Sequence, residues 1–266
     1  MFTETKQKTH RKGESKMRPN TQMQIEEMKK QTIGVEVEFT GITRKAAAEV
    51  LAKHFGTEAW YDGGPYYKWD VRDQQGRKWE IVRDSSVNNI CGEKCELVTP
   101  ILKYEDIETL QEVLRKLRRA GAISRPSLRC GIHIHIGADG HTAQTLRNLT
   151  NIMASHEELL ATALNLDSSR VRRYCRTVDQ NFLAKVNQRK PSTMSALADI
   201  WYGTQNANYG RSHHYNDSRY HMLNLHATFT KGTVEFRLFQ FDSPANGKQN
   251  GLHAGKLKSY IQLCLA

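Results

Sequence analysis

Three segments of the chain alternate between apolar residues and charged or histidine residues. They span residues 34–39, 131–136 and 233–238, and each has the length and the period of a half-buried β-strand. Successive side chains of a strand point to opposite faces, so each segment is predicted to have one apolar face and one chemical face. The chemical faces carry the following side chains: Glu36 and Glu38, His133 and His135, and Glu235 and Arg237.

Glu36 and Glu38 predict a cation site. Two carboxylates about 7 Å apart on one strand face repel each other, and the pKa of each rises unless a cation lies beside them. Oxygen-rich ligand sets suit Mg²⁺ and Mn²⁺, whereas zinc sites usually take more nitrogen or sulfur ligands. The candidate ligands are mostly carboxylates: Glu36, Glu38, Glu96 and Glu235, with one or both of His133 and His135, and in addition Asp84 or Glu80.

Arg237 adds a second requirement to this face. A guanidinium two residues from Glu235 would repel a bare metal ion, but it matches the oxygens of a phosphate bound to that ion. The shared face is therefore predicted to bind a metal together with a phosphate.

The rest of the pattern predicts both helices and strands. Apolar residues at helical spacing favour helices over residues 43–55, 105–119 and 142–166. Strands are expected at residues 66–71, 78–82, 95–98 and 223–229, with a tight turn at Lys231 and Gly232 before the strand at 233–239. Residues 168–220 are expected to be irregular. Short connections imply antiparallel pairing, so the predicted fold class is α+β.

The chain length of 266 residues allows one substantial domain. Residues 1–31 are basic and lack periodicity, so we expect a flexible N-terminal arm followed by a folded domain over residues 32–266. An amphipathic helix predicted at residues 247–266 has no stop signal. It is expected to continue in a longer parent chain.

Composition argues against a membrane protein. The hydrophobic content is 38%, and no apolar run approaches the roughly 20 residues that a membrane helix needs. The polar N-terminus lacks the apolar stretch of a secretory signal. Five irregularly spaced cysteines suit a reducing compartment, so we expect a cytoplasmic protein.

The net charge of +11 favours an anionic partner, such as nucleotide phosphates, an acidic peptide or nucleic acid. Residues 168–176 contain four arginines, a density that suits recognition of an acidic or peptide-like carboxylate. A solvated basic loop explains the same composition.

Three other interpretations fit parts of the pattern. The alternating segments are also typical of half-exposed edge strands without a site. A zinc-dependent hydrolase would use His133 and His135 with a carboxylate and would not need Arg237. A nucleic-acid-binding protein would be indifferent to loss of Glu36, and no helix-turn-helix, RNA-binding or finger motif supports it.

Six segments, in this order, resemble the amidoligases, a carboxylate–amine ligase branch of the glutamine synthetase and glutamate–cysteine ligase superfamily. The resemblance covers residues 33–240, and chains of this kind also resemble proteins carried on bacterial mobile elements. The segments are Gly34-Val-Glu-Val-Glu-Phe39, Asp84-Ser-Ser86, Glu96-Leu-Val-Thr-Pro100, Cys130-Gly-Ile-His-Ile-His135, Arg219-Tyr-His-Met-Leu-Asn-Leu225 and Gly232-Thr-Val-Glu-Phe-Arg-Leu-Phe239.

The resemblance implies a glutamine synthetase-like catalytic domain. Its curved, mostly antiparallel sheet would bind ATP and Mg²⁺ or Mn²⁺ on the concave side and carry helices on the convex side. The implied activity is ATP-dependent amide formation through an acyl phosphate, joining a carboxylate substrate and an amine substrate. An amino acid or a peptide is the implied substrate class, and nucleic acid is not an expected partner.

The resemblance also implies a role for each site residue. Glu36 and Glu38 would hold different metal ions, with Glu96 assisting one, and Glu235 with His135 or His133 completing the other. Arg237 and Arg219 would contact the transferred phosphoryl group. Asn224 would orient a metal-bound water or a substrate carboxylate. Lys231 is a further candidate for a phosphate contact, although an exposed turn residue explains it equally well, and Asp84 is the candidate base for the amine proton.

Overall fold

The three alternating segments form neighbouring strands of one antiparallel sheet. The computed structural model describes residues 19–213, 215–242 and 251–266, and within them eight strands pair in the order β2-β3-β4-β5-β1-β6-β8-β7. The strands are β1 Ile33–Phe39, β2 Ala59–Gly63, β3 Lys68–Arg72, β4 Lys78–Val82, β5 Cys95–Val98, β6 Ile132–Gly137, β7 Leu223–Asn224 and β8 Thr233–Phe239.

Ten α-helices accompany the sheet within the described residues. They are α1 Pro19–Lys30, α2 Arg44–Phe55, α3 Ile107–Arg119, α4 Ala143–Ala163, α5 Ser168–Arg173, α6 Gln180–Arg189, α7 Met194–Tyr202, α8 Ala207–Ser212, α9 His226–Lys231 and α10 Ala254–Leu265. Within the same residues, no helix is both long enough and apolar enough to cross a membrane.

The apolar face of the sheet forms the core. Val35, Val37 and Phe39 of β1 are fully or almost fully buried, and the apolar residues of the neighbouring strands continue this layer. α2 packs on β3, β4 and α3, and α10 packs on α3 and β6. Burying each such side chain contributes about 1.5–3 kcal/mol. The helices therefore fix the direction in which β1 turns its glutamates, which is away from the core.

The predicted α+β class, with one antiparallel sheet, is confirmed. The helices expected near residues 43–55, 105–119 and 142–166 correspond to α2, α3 and α4. The C-terminal helix begins at Ala254 in the described part of its segment. Of the expected flexible arm, residues 19–30 form α1, and residues 1–18 lie outside the described residues.

Two expectations about local structure are wrong. The strand expected at residues 223–229 ends at Asn224, and the following residues form α9, because the Asn224 side chain accepts the first N–H of that helix at 2.8 Å. The region 168–220 is not irregular, since it contains α5 to α8. Asp167, Asp179 and Thr193 cap three of these helices with their side chains, which is the sequence signal that identifies them.

Candidate active site

Strand register brings the three chemical faces together. Glu36 on β1 is paired with His133 on β6, and His135 on β6 is paired with Glu235 on β8. On the other side of β1, Glu38 is paired with Glu96 on β5. Side chains of directly paired residues lie within about 5.5 Å of each other at Cβ. Residues far apart in sequence therefore meet on one face across four adjacent strands.

The two histidines lie among the carboxylates. Nδ1 of His133 is 3.0 Å from Oε2 of Glu36, and its Nε2 is 3.8 Å from Oε1 of Glu38. Nε2 of His135 is 3.5 Å from Oε1 of Glu36 and 3.8 Å from Oε1 of Glu235. His133 and His135 are both buried. The alternation therefore brings carboxylate oxygens and imidazole nitrogens together on one face.

His135 is oriented by Thr233. Nδ1 of His135 is 2.8 Å from Oγ1 of Thr233, and its Nε2 has no hydrogen-bond partner although it is buried. A histidine that binds a metal typically uses its second ring nitrogen in this way. Thr233 was not among the predicted site residues, but its position two residues before Glu235 puts it on the same strand face.

Three overlapping groups of side chains bring candidate ligand atoms within 4.8 Å of one another. Two groups share Glu36 and two share Glu96. The groups are Glu36 with His135 and Glu235, Glu36 with Glu96 and His133, and Glu38 with Asp84 and Glu96. Each therefore combines side chains from at least two elements, and carboxylates outnumber histidines.

Burial makes this concentration of negative charge unfavourable for part of the site. Burial, followed by the charges of Glu36 and Glu38, raises the pKa of Glu96 well above its usual value. Burial likewise raises the pKa of Glu38, against the opposing effect of His133. Glu38 is held by the backbone N–H of Gly131, which donates to its Oε2 at 2.6 Å. A divalent cation would offset the charge that these two carboxylates must otherwise shed by protonation.

Nearby cations keep the other two glutamates ionised. Burial opposes ionisation of Glu36, but the hydrogen bond with His133, the nearby His135 and the charge of Lys231 hold its pKa well below its usual value. Burial also opposes ionisation of Glu235, but Arg237 together with His135 and His133 outweighs it and lowers the pKa to about 2. Both carboxylates are therefore available as anionic ligands at neutral pH.

Arg237 and Lys231 supply positive charge next to these ligands. Nη1 of Arg237 lies 2.5 Å from Oε1 of Glu235, and Nζ of Lys231 lies 3.3 Å from Oε1 of Glu36. Asn224 donates to Oε2 of Glu235 at 2.6 Å. Nε of Arg237 is buried and has no hydrogen-bond partner. That nitrogen is an unused donor beside the three groups of candidate ligands.

Arg219 lies at the aromatic edge of the site. Its guanidinium carbon is 4.9 Å from the ring centre of Tyr215 and 4.8 Å from that of Tyr220. Nη2 of Arg219 also donates to the Tyr220 hydroxyl at 2.9 Å. The hydroxyls of Tyr66 and Tyr215 are in contact. Two tyrosines from distant segments thus meet beside an arginine predicted to bind phosphate.

The predicted site residues surround a single cleft of 720 Å³. All of them except His135 line it, and His135 instead contacts Glu36 and Glu235. This volume falls within the usual range for small-molecule sites. The cleft also contains side chains that were not predicted individually, including Lys68 and Arg170. Arg170 was recognised only as one of four arginines in a basic segment.

A comparison with family models agrees with the resemblance in the sequence. The model described as "putative amidoligase enzyme" matches residues 29–266, which is most of the chain. A search of curated proteins found no match. The family description implies an enzyme of the ligase type. On this evidence the chain belongs to the amidoligase family.

Proposed function

We propose that the protein is a cytoplasmic, ATP-dependent carboxylate–amine ligase that acts on an amino acid or a peptide-like substrate. The observation that carries the proposal is the overlap of three groups of candidate ligands, two of which include a histidine, beside Arg237 and Lys231 on one sheet face. Such a face suits a nucleotide whose phosphates are bound together with divalent cations. The proposal includes a glutamine synthetase-like fold with this face on its concave side.

The residues fit Mg²⁺ or Mn²⁺. Most candidate ligands are carboxylates, which hard cations prefer, and the unpartnered Nε2 of His135 is directed towards Glu36 and Glu235. The ions would be held by Glu36, Glu38, Glu96, Glu235, His133 and His135, and Asp84 is the remaining member of the third group. When bound, they would neutralise negative charge on the phosphate oxygens.

Arg237, Arg219 and Lys231 are proposed to orient the phosphoryl group. The free Nε of Arg237 leaves a donor for a phosphate oxygen while Nη1 remains bonded to Glu235. The substrate carboxylate would attack the γ-phosphorus of ATP, which releases ADP and gives an acyl phosphate. An amine would then displace phosphate from the acyl carbon and lose a proton to give an amide. Fixed cations favour this transfer because they need no rearrangement as charge develops.

Asp84 has two candidate roles. One carboxylate oxygen accepts the backbone N–H of Ser86 at 2.6 Å, and the side chain lies in the group with Glu38 and Glu96. Asp84 is therefore proposed either to bind a metal ion or to remove the proton of the amine. Asn224, which is bonded to Glu235, is proposed to orient a water molecule or the substrate carboxylate.

Thermal unfolding with Mg²⁺ and a non-hydrolysable ATP analogue tests the proposal. Both together should stabilise the wild-type protein by about 2.7 kcal/mol at one hundred times the dissociation constant. Glu235→Gln should lose this stabilisation without loss of fold. Asp62→Asn should keep it, because Asp62 lines the same cleft but belongs to none of the three ligand groups.

Adding Zn²⁺ alone, and DNA or RNA alone, distinguishes the two alternative functions from a ligase. Stabilisation by Zn²⁺ alone would favour a hydrolase that uses His133 and His135. Binding to DNA or RNA with a steep salt dependence, unchanged in Glu235→Gln, would favour a nucleic-acid-binding protein. Full stabilisation of Glu235→Gln by Mg²⁺ and nucleotide would contradict the proposed ligand set.

A further inference from the structure

Arg170 enters the cleft from α5. The side chain of Asp167 caps this helix by accepting the backbone N–H groups of Ser169 and Arg170. The N–H of Asp167 donates to Oε1 of Gln240, one residue beyond β8, at 3.0 Å. These bonds fix the start of α5 against the sheet. Arg170 is 2% exposed and lines the cleft, so its charged group is directed inwards.

The guanidinium of Arg170 has few partners for a buried cation. Nη2 donates to the backbone oxygens of Arg237 at 3.2 Å and Phe239 at 3.4 Å, and Nε has no partner. In the described part of the chain, no carboxylate oxygen lies within ion-pairing distance of it. A guanidinium carries five N–H donors, and the charges of Glu38 and Asp167 attract that of Arg170 only from beyond ion-pairing distance. Arg237 and Lys231, in contrast, each have a glutamate partner.

Gly131 provides the space for this guanidinium. A Cβ atom at residue 131 would lie 2.4 Å from both Nη1 and Nη2 of Arg170. The N–H of the same glycine donates to Glu38. The absence of a side chain at Gly131 therefore lets the Nη1 and Nη2 edge of the guanidinium approach the start of β6, where the same residue contacts Glu38.

We propose that Arg170 binds a carboxylate of the substrate and so determines specificity for an acidic substrate. This inference rests on the proposed function because it uses the same cleft. A guanidinium pairs with a carboxylate through two parallel hydrogen bonds. The single buried charge of Arg170 matches one carboxylate, whereas the more highly charged phosphates suit the ligand groups beside Arg237 and Lys231.

Binding of L-glutamate, measured by NMR titration, tests the assignment. The titration is done first without nucleotide and then with Mg²⁺ and the ATP analogue, so that carboxylate binding is read independently of nucleotide binding. Arg170→Gln should weaken L-glutamate binding at least tenfold, since hydrogen bonds between charged groups have about this effect. Arg173→Gln is the matched control, because Arg173 is an exposed arginine of the same helix. Arg170→Lys keeps the positive charge but lacks the two parallel N–H donors of a guanidinium. Its affinity for L-glutamate should therefore lie between those of Arg170→Gln and Arg173→Gln.

Several outcomes would overturn the inference. L-glutamate could bind Arg170→Gln as it binds the wild type, or it could fail to bind a wild-type protein that is stabilised by Mg²⁺ and nucleotide. Inorganic phosphate is titrated in parallel, and its selective loss in Arg170→Gln would assign the residue to phosphate instead. If Arg170→Gln is unfolded by circular dichroism, Arg170→Lys decides, and unchanged L-glutamate binding in that variant would also contradict the assignment. Carboxylate binding without any nucleotide response would support Arg170 while contradicting the ligase.

Discussion

Glu36 and His133 face each other directly across β1 and β6, with Nδ1 of the histidine 3.0 Å from the carboxylate. The pair belongs to one ligand group, and Glu36 belongs to a second one as well. Glu38, two residues along the same strand, belongs to one group only. Glu36 and Glu38, which share one face of β1, should therefore contribute differently to metal binding.

Glu36→Gln should weaken Mn²⁺ binding more than Glu38→Gln does. The amide keeps the shape of the side chain but removes the anionic ligand, and in Glu36→Gln it does so in two groups at once. Substituting a residue that only hydrogen-bonds to a metal ligand typically lowers metal affinity about 10–100-fold. Loss of the proposed ligand Glu36 itself should therefore lower Mn²⁺ affinity at least about tenfold. Electron paramagnetic resonance of free Mn²⁺ measures the affinity and the number of ions bound. Equal affinities in the two variants would contradict the shared role of Glu36.

Arg237→Gln should separate nucleotide binding from metal binding. The variant removes the phosphate donor but none of the proposed metal ligands, so Mn²⁺ should still bind. Binding of the ATP analogue should be weaker by about 1.5–3 kcal/mol, the usual contribution of a hydrogen bond to a charged group, so most of its stabilisation of the fold should be lost. Thermal unfolding with Mg²⁺, with and without the analogue, provides the measurement. Arg173→Gln serves as the exposed control, and an unchanged nucleotide effect in Arg237→Gln would remove Arg237 from the phosphate site.

The sequence was most informative where function and burial impose the same alternation. Val35, Val37 and Phe39 must face the core, which leaves Glu36 and Glu38 on the opposite face. Which strands lie side by side is a property of the whole sheet. The register between β6 and β8 shifts between Ile132 and Ile134, and that irregularity has no local signature in the sequence. The faces could therefore be predicted, but the distances between them could not.

Arg170 illustrates the second limit. Its charge was visible within a basic segment, but only the packing of α5 against Gly131 distinguishes it from exposed Arg173. A third limit concerns residues 226–231, whose β-branched and aromatic side chains favour a strand although they form α9. The Asn224 side chain at one end and Gly232 in a left-handed conformation at the other favour the helix instead.

Asp106→Asn should destabilise the protein at neutral pH. Asp106 accepts hydrogen bonds from Nη1 and Nη2 of Arg77 at 2.7 and 2.9 Å, and from the N–H of Lys103 at 2.8 Å. The bond from Arg77 is the main reason why the pKa of Asp106 is below its usual 3.8. The free energy of unfolding should fall by about 2 kcal/mol at pH 7. Urea titrations of both proteins provide this difference.

The same pair predicts an acid dependence. Because the pKa of Asp106 is lower in the folded protein than in the unfolded chain, its contribution is complete above about pH 4 and is lost as the pH falls through the folded value. The wild type and Asp106→Asn should therefore converge in stability below pH 4. Glu105→Gln, which changes an exposed neighbour, should show neither effect. A stability difference that persists unchanged into acid would contradict the role of the Arg77 pair.

Thiol reactivity should identify Cys91 as the fast-reacting cysteine of the native protein. All five cysteines lie in the described residues, and of these Cys91 alone is exposed. Burial raises the pKa of both Cys95 and Cys130 to about 12, so at pH 8 neither is a reactive thiolate. Ellman's reagent should modify about one thiol rapidly in the native protein and five after denaturation. Cys91→Ser should abolish the fast phase, and rapid modification of another thiol in that variant would contradict the assignment of Cys91 as the fast-reacting cysteine.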